Sequence, residues 1–280
     1  MKKIFFIAAL FAPFLTFAQN TCCSMAKNAT TEFASLTNDV NFIAAHQSPT
    51  AYVHQSEVGK MVSTKLSDGS TVSAYYLAAP KSSDKVVFVF HEWWGLNDHI
   101  KKEAEKIYHD LGDANVYAID LYEGKTTANR EEAAKLMGEL KDDRAKLIMN
   151  AWIAKVGKKA KIATIGWCLG GGMSMQATLE SGKNAKACVI YYGMPEQNTE
   201  RLKKLNAPVL MIWPSQDQWI NKKVVDGFNM NMTAAGKSLE VHSYDADHAF
   251  ANPSNPQFDK EKTEDAYRKS IQFLKDNLAK

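Results

Sequence analysis

The stretch Ile162-Ala163-Thr164-Ile165-Gly166-Trp167-Cys168-Leu169-Gly170-Gly171-Gly172-Met173 constrains the chain more than any other part of it. A β-branched, apolar run passes through a single cysteine into three consecutive glycines, the pattern of a buried strand that turns sharply into a helix. Gly166 and Gly170 flank Cys168 at the two positions where a side chain would collide with the neighbouring strand or helix, so the turn can lift the sulfur above a sheet. A cysteine placed there also meets the positive end of a helix, which favours thiolate over thiol. The competing reading is a glycine-rich turn around an inert core cysteine. A phosphate-binding loop is not supported, because no Lys-Ser or Lys-Thr follows glycines 170 to 172.

The remaining chain supplies a sheet for that turn to sit on. Met61 to Leu66 and Thr71 to Ala78, joined through Ser67-Asp68-Gly69-Ser70, predict a β-hairpin with Asp-Gly at a two-residue tip. Continuous apolar runs then alternate with helical patterns. Strands are expected at Val86 to Phe90, Val116 to Ile119, from Ile162, at Ala187 to Tyr192, at Val209 to Trp213 and at Leu239 to Tyr244. Helices are expected at Asp98 to Leu111, over about Asn129 to Val156 in two pieces, after Cys168, at about Lys222 to Ala235 and at about Lys260 to Leu278. Apolar strands separated by helices require a mostly parallel sheet covered on both faces. No repeat, linker or composition break divides residues 57–280, so the expectation is a single α/β domain with a doubly wound sheet and an N-terminal β-hairpin.

The N-terminus reads differently. Met1-Lys2-Lys3, the apolar run Ile4 to Leu15 and the small-residue site Thr16-Phe17-Ala18 predict a cleavable signal peptide over residues 1–18, hence an exported, periplasmic or secreted protein with no lasting membrane insertion. Its removal takes the formal charge from +3 to +1, which gives no electrostatic reason to expect nucleic acid as a partner. Residues 19–56 show no sustained period and read as a leader or tail that could lie across the domain. Cys22 and Cys23 fall in that segment, whereas Cys188, inside an apolar run, is expected to be a buried strand residue.

In a parallel α/β sheet, ligand sites form at the carboxyl ends of the strands. There the sequence gathers His91-Glu92-Trp93-Trp94, Asp120, Cys168, Asp217 and Asp245-Ala246-Asp247-His248. A cysteine nucleophile needs a base and an acid to orient it, and the chain order Cys168, Asp217, His248 is that of the α/β-hydrolase fold. Asp245 and Asp247 compete with Asp217 for the orienting role, but their closeness to His248 suits them better to shaping its turn. Backbone N–H groups of Trp93 and Leu169 occupy the positions of an oxyanion hole. Glu92, beside the thiol, would have a raised pKa if buried and could exchange a proton with Cys168. A zinc site is not expected: the histidine that would complete a His-Glu-x-x-His helix after His91 is replaced by Gly95, and other His, Asp and Glu combinations lack ligand spacing on a common element.

These residues resemble the dienelactone hydrolases, the carboxymethylenebutenolidases among the α/β-hydrolases. The resemblance runs from about Lys60 to Leu278 and rests on Glu92-Trp93-Trp94-Gly95, Gly166-Trp167-Cys168-Leu169-Gly170-Gly171, Gln216-Asp217 and His248 with Phe250. It implies attack of Cys168 on a small lactone or ester carbonyl, assistance by His248 and Asp217, control of thiolate formation by Glu92, and turnover without a cofactor. It also implies two arginines that hold a substrate carboxylate. Arg130 falls where one is expected; Asn252 stands where the other is usual, Ala134 where a pocket tyrosine is usual and Ala249 where a serine is usual. Arg130, Asn252 and Phe250 are therefore the substrate-side candidates, and the expectation is retained chemistry with altered specificity. The alternative is a thiol-redox or non-enzymatic protein that keeps the fold.

Overall fold

The computed structural model describes Met1 and residues 29–280 apart from residues 254 and 256. The signal-peptide expectation, Cys22 and Cys23 lie outside the described residues. The chain enters through α1 (Ala29–Ser35), a 3-10 turn (Leu36–Asn38) and α2 (Val40–Ala45). It continues through β1 (Gly59–Lys65), β2 (Thr71–Leu77), β3 (Lys85–Phe90), α3 (Asp98–Leu111), β4 (Asn115–Ile119), α4 (Arg130–Glu139), α5 (Asp142–Val156) and β5 (Lys161–Trp167). Then follow α6 (Leu169–Glu180), β6 (Ala185–Tyr191), α7 (Thr199–Leu202), β7 (Val209–Pro214), α8 (Lys222–Ala234), β8 (Leu239–Tyr244) and α9 (Lys260–Leu278).

The strands form one sheet in the order β1-β2-β4-β3-β5-β6-β7-β8. The hairpin β1/β2 is antiparallel and joins antiparallel to β4; every later pairing is parallel. β3 and β5 to β7 are almost wholly buried, as strands covered on both faces must be. Helices α3 and α9 pack on one another, as do α5 and α6. The hairpin tip differs from the expected two-residue turn. Leu66 N–H donates to the Ser70 carbonyl (2.8 Å) and Gly69 N–H to the Leu66 carbonyl (3.1 Å), with Gly69 at φ +86, so Ser67 to Gly69 form a three-residue loop. Asp68 Oδ1 holds that loop by accepting from Ser70 N–H at 2.9 Å.

Local chemistry sets the helix ends. Asn97 accepts from Ile100 N–H to start α3, and Gly112, at φ +75, ends it. Asn221 and Asp259 start α8 and α9 in the same way. Helix α6 is buried along nearly its whole length, so its small residues are what allow it to lie flat on β3, β5 and β6. A polar seam under it is satisfied internally: Thr164 Oγ1 lies 2.8 Å from Ser174 Oγ and 2.6 Å from Thr178 Oγ1, and Ser174 Oγ donates to the Val189 carbonyl at 2.9 Å. Cys188 sits beside this seam in β6, fully buried, as a strand residue.

Residues 30–46, ahead of β1, dock on the domain. Asp39 Oδ1 accepts from Asn41 and Phe42 N–H and so starts α2, while Asp39 Oδ2 accepts from Trp219 Nε1 at 3.2 Å. Phe33 and Phe42 are fully buried, each burial stabilising the docked segment by about 2 kcal/mol. Residues 47–58, mostly exposed and without helix or strand, connect this docked piece to β1.

Candidate active site

Cys168 stands between the last residue of β5 and the first of α6, with φ 53 and ψ −119. A non-glycine residue held at positive φ is strained, and the strain is maintained by its surroundings. A Cβ on Gly166 would run into the Gly170 carbonyl, and one on Gly170 into the carbonyl oxygens of Phe90 and His91. Cys168 N–H donates to the Tyr191 carbonyl at 3.0 Å, which ties the turn to β6. The sulfur is therefore fixed at the carboxyl edge of the sheet, over the ends of β3 and β6.

The other strand ends converge on it. Asp217, after β7, accepts at Oδ1 from Trp219 and Ile220 N–H, both at 2.9 Å, and meets His248 Nδ1 through Oδ2 at 2.6 Å. Burial pushes the Asp217 carboxyl up, but His248 and these two N–H groups outweigh it and hold the carboxyl below its usual range. Burial likewise disfavours the His248 cation; Asp217 and Cys168 reverse this and leave the imidazole strongly basic. His248 Nε2 is buried without a hydrogen-bond partner. Asp245 instead accepts from Gln216 Nε2 at 2.6 Å, so Asp217 is the carboxylate joined to this ring.

Glu92 follows β3 and is buried, and burial raises its carboxyl to about 7, a rise partly opposed by His248. Its Oε2 accepts from Asn252 Nδ2 at 2.6 Å. Burial also pushes the Cys168 thiol up, offset in part by His248 and by the Leu169 N–H. Trp93 and Leu169, whose backbones are the expected oxyanion donors, flank this group and are fully buried. His91 is spent on structure: Nδ1 lies 2.6 Å from the Glu92 carbonyl, and Nε2 accepts from Leu121 N–H at 3.1 Å.

The substrate-side candidates divide. Asn252 lines a cleft of about 60 Å³ with Glu92, Trp94, Trp167 and Tyr192. Phe250 is fully buried behind the site, its ring 6.0 Å from Tyr192 and 5.3 Å from Tyr244. Arg130 is not brought to that cleft. It opens α4, and its Nη1 lies 3.4 Å from the Ala44 carbonyl at the end of α2.

One residue of the site escaped the sequence reading. His46, directly after α2, is buried against Phe42, Trp93, Trp219 and His248, with its ring 4.7 Å from Trp93 and 5.0 Å from His248. Its Nδ1 is bonded to the Phe42 carbonyl at 2.7 Å, and its Nε2 lies 3.9 Å from Cys168 Sγ. Burial, reinforced by His248, lowers its pKa to about 3, so the ring is neutral. The signal was present in Asp39 as a helix start, Pro49 as a stop, and Phe42 and His46 four apart on one helical face. With His46 in place Cys168 is only 1% exposed, so the sulfur meets protein rather than solvent.

A mostly parallel sheet with a strained residue between β5 and α6, and with an Asp-His pair from the last two strand ends, defines an α/β-hydrolase. Residues 73–278 match the model of the dienelactone hydrolase family, and the chain belongs to that family, which makes it a carboxylic ester hydrolase. Protein usf of Aquifex pyrophilus is 27% identical over 216 residues, covering 72% of this chain and 93% of that protein. A carboxymethylenebutenolidase of Pseudomonas sp. (strain P51) is 31% identical over 115 residues, covering 41% of this chain and 47% of its own. The fold is shared with a dienelactone hydrolase-like promiscuous phosphotriesterase from metagenomic libraries (TM-score 0.67, 19% identity, covering 79% of this chain and 99% of that one).

Proposed function

We propose that this protein hydrolyses small carboxylic esters or lactones through an acyl-enzyme on Cys168, with His248 as base, Asp217 orienting it and Glu92 governing when the thiol ionises. The observation that carries the reading is the 2.6 Å Asp217–His248 bond, which leaves the buried Nε2 of His248 unpaired beside a sulfur held at positive φ. In the first half-reaction His248 takes the Cys168 proton as the sulfur attacks the carbonyl carbon. The backbone N–H groups of Trp93 and Leu169 receive the developing oxyanion. The C–O bond then breaks, and His248 returns its proton to the departing alkoxide. In the second half-reaction His248 deprotonates a water that attacks the thioester, and the sulfur leaves as thiolate and regains its proton. Each step balances without metal or redox chemistry.

Glu92, with a pKa of about 7, is poised to hold or release a proton at neutral pH, which suits a group that keeps the neighbouring sulfur neutral until substrate arrives. Asn252, bonded to Glu92, is committed to positioning that carboxyl. Arg130 enters the reading as a contact for a substrate carboxylate once α2 gives up its hold on the guanidinium. The N-terminal sequence supports export after cleavage near Ala18. Hydrolysis of p-nitrophenyl acetate and a panel of small lactones by the native protein and by Cys168→Ala tests the proposal, and equal rates in the two proteins would remove Cys168 from the chemistry.

A further inference from the structure

We propose that His46, Cys168 and His248 together form a binding site for one thiophilic d10 cation, zinc(II) or copper(I), and that the occupied site is a closed state in which the sulfur cannot attack substrate. The side chains come from three distant parts of the chain, yet their donor atoms lie within 4.8 Å of one another, and all three residues are buried. Bonds of about 2.0 Å to imidazole nitrogen and about 2.3 Å to thiolate place the donors of one ion about 3.5 to 3.8 Å apart. The His46 Nε2 to Cys168 Sγ separation of 3.9 Å is already close to that.

The hydrogen bonds around the two rings strengthen the case. A histidine that binds a metal through one ring nitrogen usually donates its other N–H to a carboxylate or a backbone carbonyl, which fixes the tautomer and aims the ring. Both partners are present: His248 Nδ1 pairs with Asp217 Oδ2 at 2.6 Å, and His46 Nδ1 with the Phe42 carbonyl at 2.7 Å. Each ring thus leaves Nε2 for the shared space, and His248 Nε2 is buried there without a partner. Phe42, Trp93 and Trp219 pack at tilted or edge-on angles around the two buried rings and form an apolar shell. Such a shell suits low coordination, and a thiolate with two imidazoles suits a soft ion rather than magnesium or calcium. Uptake displaces the proton of the Cys168 thiol, and any proton on His248, to solvent, so affinity rises with pH. Hydrolysis and metal occupancy exclude one another because they use the same electron pair on sulfur.

The test uses the full chain with Cys22→Ser and Cys23→Ser, so that no other clustered thiols compete. This protein is stripped with a chelator under anaerobic, reducing conditions and titrated with cobalt(II) as probe. The expected result is uptake of one equivalent with a thiolate-to-cobalt charge-transfer absorption, displaced by zinc(II) or by copper(I), whichever ion the site prefers. Cys168→Ala should abolish the absorption, and His46→Gln should weaken cobalt binding about 10-fold or more. Circular dichroism and thermal melting confirm that each variant is folded. Titration with zinc of p-nitrophenyl acetate hydrolysis gives a second measure that does not depend on the cobalt spectrum: inhibition should be reversed by chelator and should need about 10-fold more zinc in His46→Gln. No charge-transfer band in the native protein, or equal affinity in His46→Gln, overturns the metal site. Hydrolysis without metal uptake would leave the hydrolase reading standing, and metal uptake without hydrolysis would do the reverse.

Discussion

Glu92 gives the sharpest quantitative test, because its burial converts directly into a dependence of stability on pH. The carboxyl moves from an ordinary value of 4.5 to about 7 on folding, with burial as the largest cause. Between those values the folded protein binds the proton that the unfolded chain has released, so stability must fall as pH rises through this window. Below 4.5 the two states hold the same proton and the penalty vanishes; above 7 it is complete, at about 3 kcal/mol. Glu92→Gln keeps an oxygen to accept from Asn252 and cannot ionise, so it should lack the penalty at every pH. Other buried groups also titrate, notably His46, and the difference between the two proteins isolates Glu92. Urea unfolding at pH 5, 6, 7 and 8, extrapolated linearly, should show the stability of Glu92→Gln relative to the native protein rising by about 2.5 kcal/mol across the series. A flat difference would mean that Glu92 stays ionised and solvated in the folded protein, and would end its proposed role as the group that restrains the thiol.

Three further outcomes are expected. Asp217→Asn should lower kcat for p-nitrophenyl acetate by about 10² to 10⁴-fold with little change in KM, because the amide neither holds the His248 tautomer nor supports its cation; a loss under 10-fold would place the orienting carboxylate elsewhere. Gly170→Ala should cost about 3 kcal/mol or more in urea unfolding, since the methyl meets the backbone carbonyls of Phe90 and His91, and a stability unchanged within error would show that α6 can move away from β3. Arg130→Ala should raise KM about 10-fold for carboxylate-bearing esters and leave neutral esters alone, whereas equal effects on both would confine the side chain to holding Ala44.

Much of the fold was legible because each element reports its own burial. The strands at Lys85–Phe90 and Val209–Pro214 are continuous apolar runs, and the helix Asp98–Leu111 is an amphipathic stretch, so hydrophobic patterning marked both kinds of element. The meeting of Cys168, Asp217 and His248 was legible for a related reason: parallel strands deliver their ends to one edge, so residues following strands become neighbours whatever their separation in sequence. His46 was not legible in this way. It follows a helix of six residues, and its position over the site depends on Asp39 bonding Trp219, a contact 180 residues away in sequence. Arg130 is the complementary case: its place in the sequence matches a substrate contact, and its guanidinium reaches the Ala44 carbonyl in the segment before β1, a contact no local pattern announces.

The exposed connection at residues 47–58 gives the docked N-terminal segment a property that a separate inhibitor would lack. A short tether holds its ligand at an effective concentration in the millimolar range, and dilution of the protein does not change that value. Occupancy of the space over Cys168 by His46 and Phe42 is therefore set by the docking equilibrium of the segment alone, at any protein concentration. A single peptide-bond cleavage between Gln47 and Val58 would turn that intramolecular equilibrium into a bimolecular one, dependent on protein concentration.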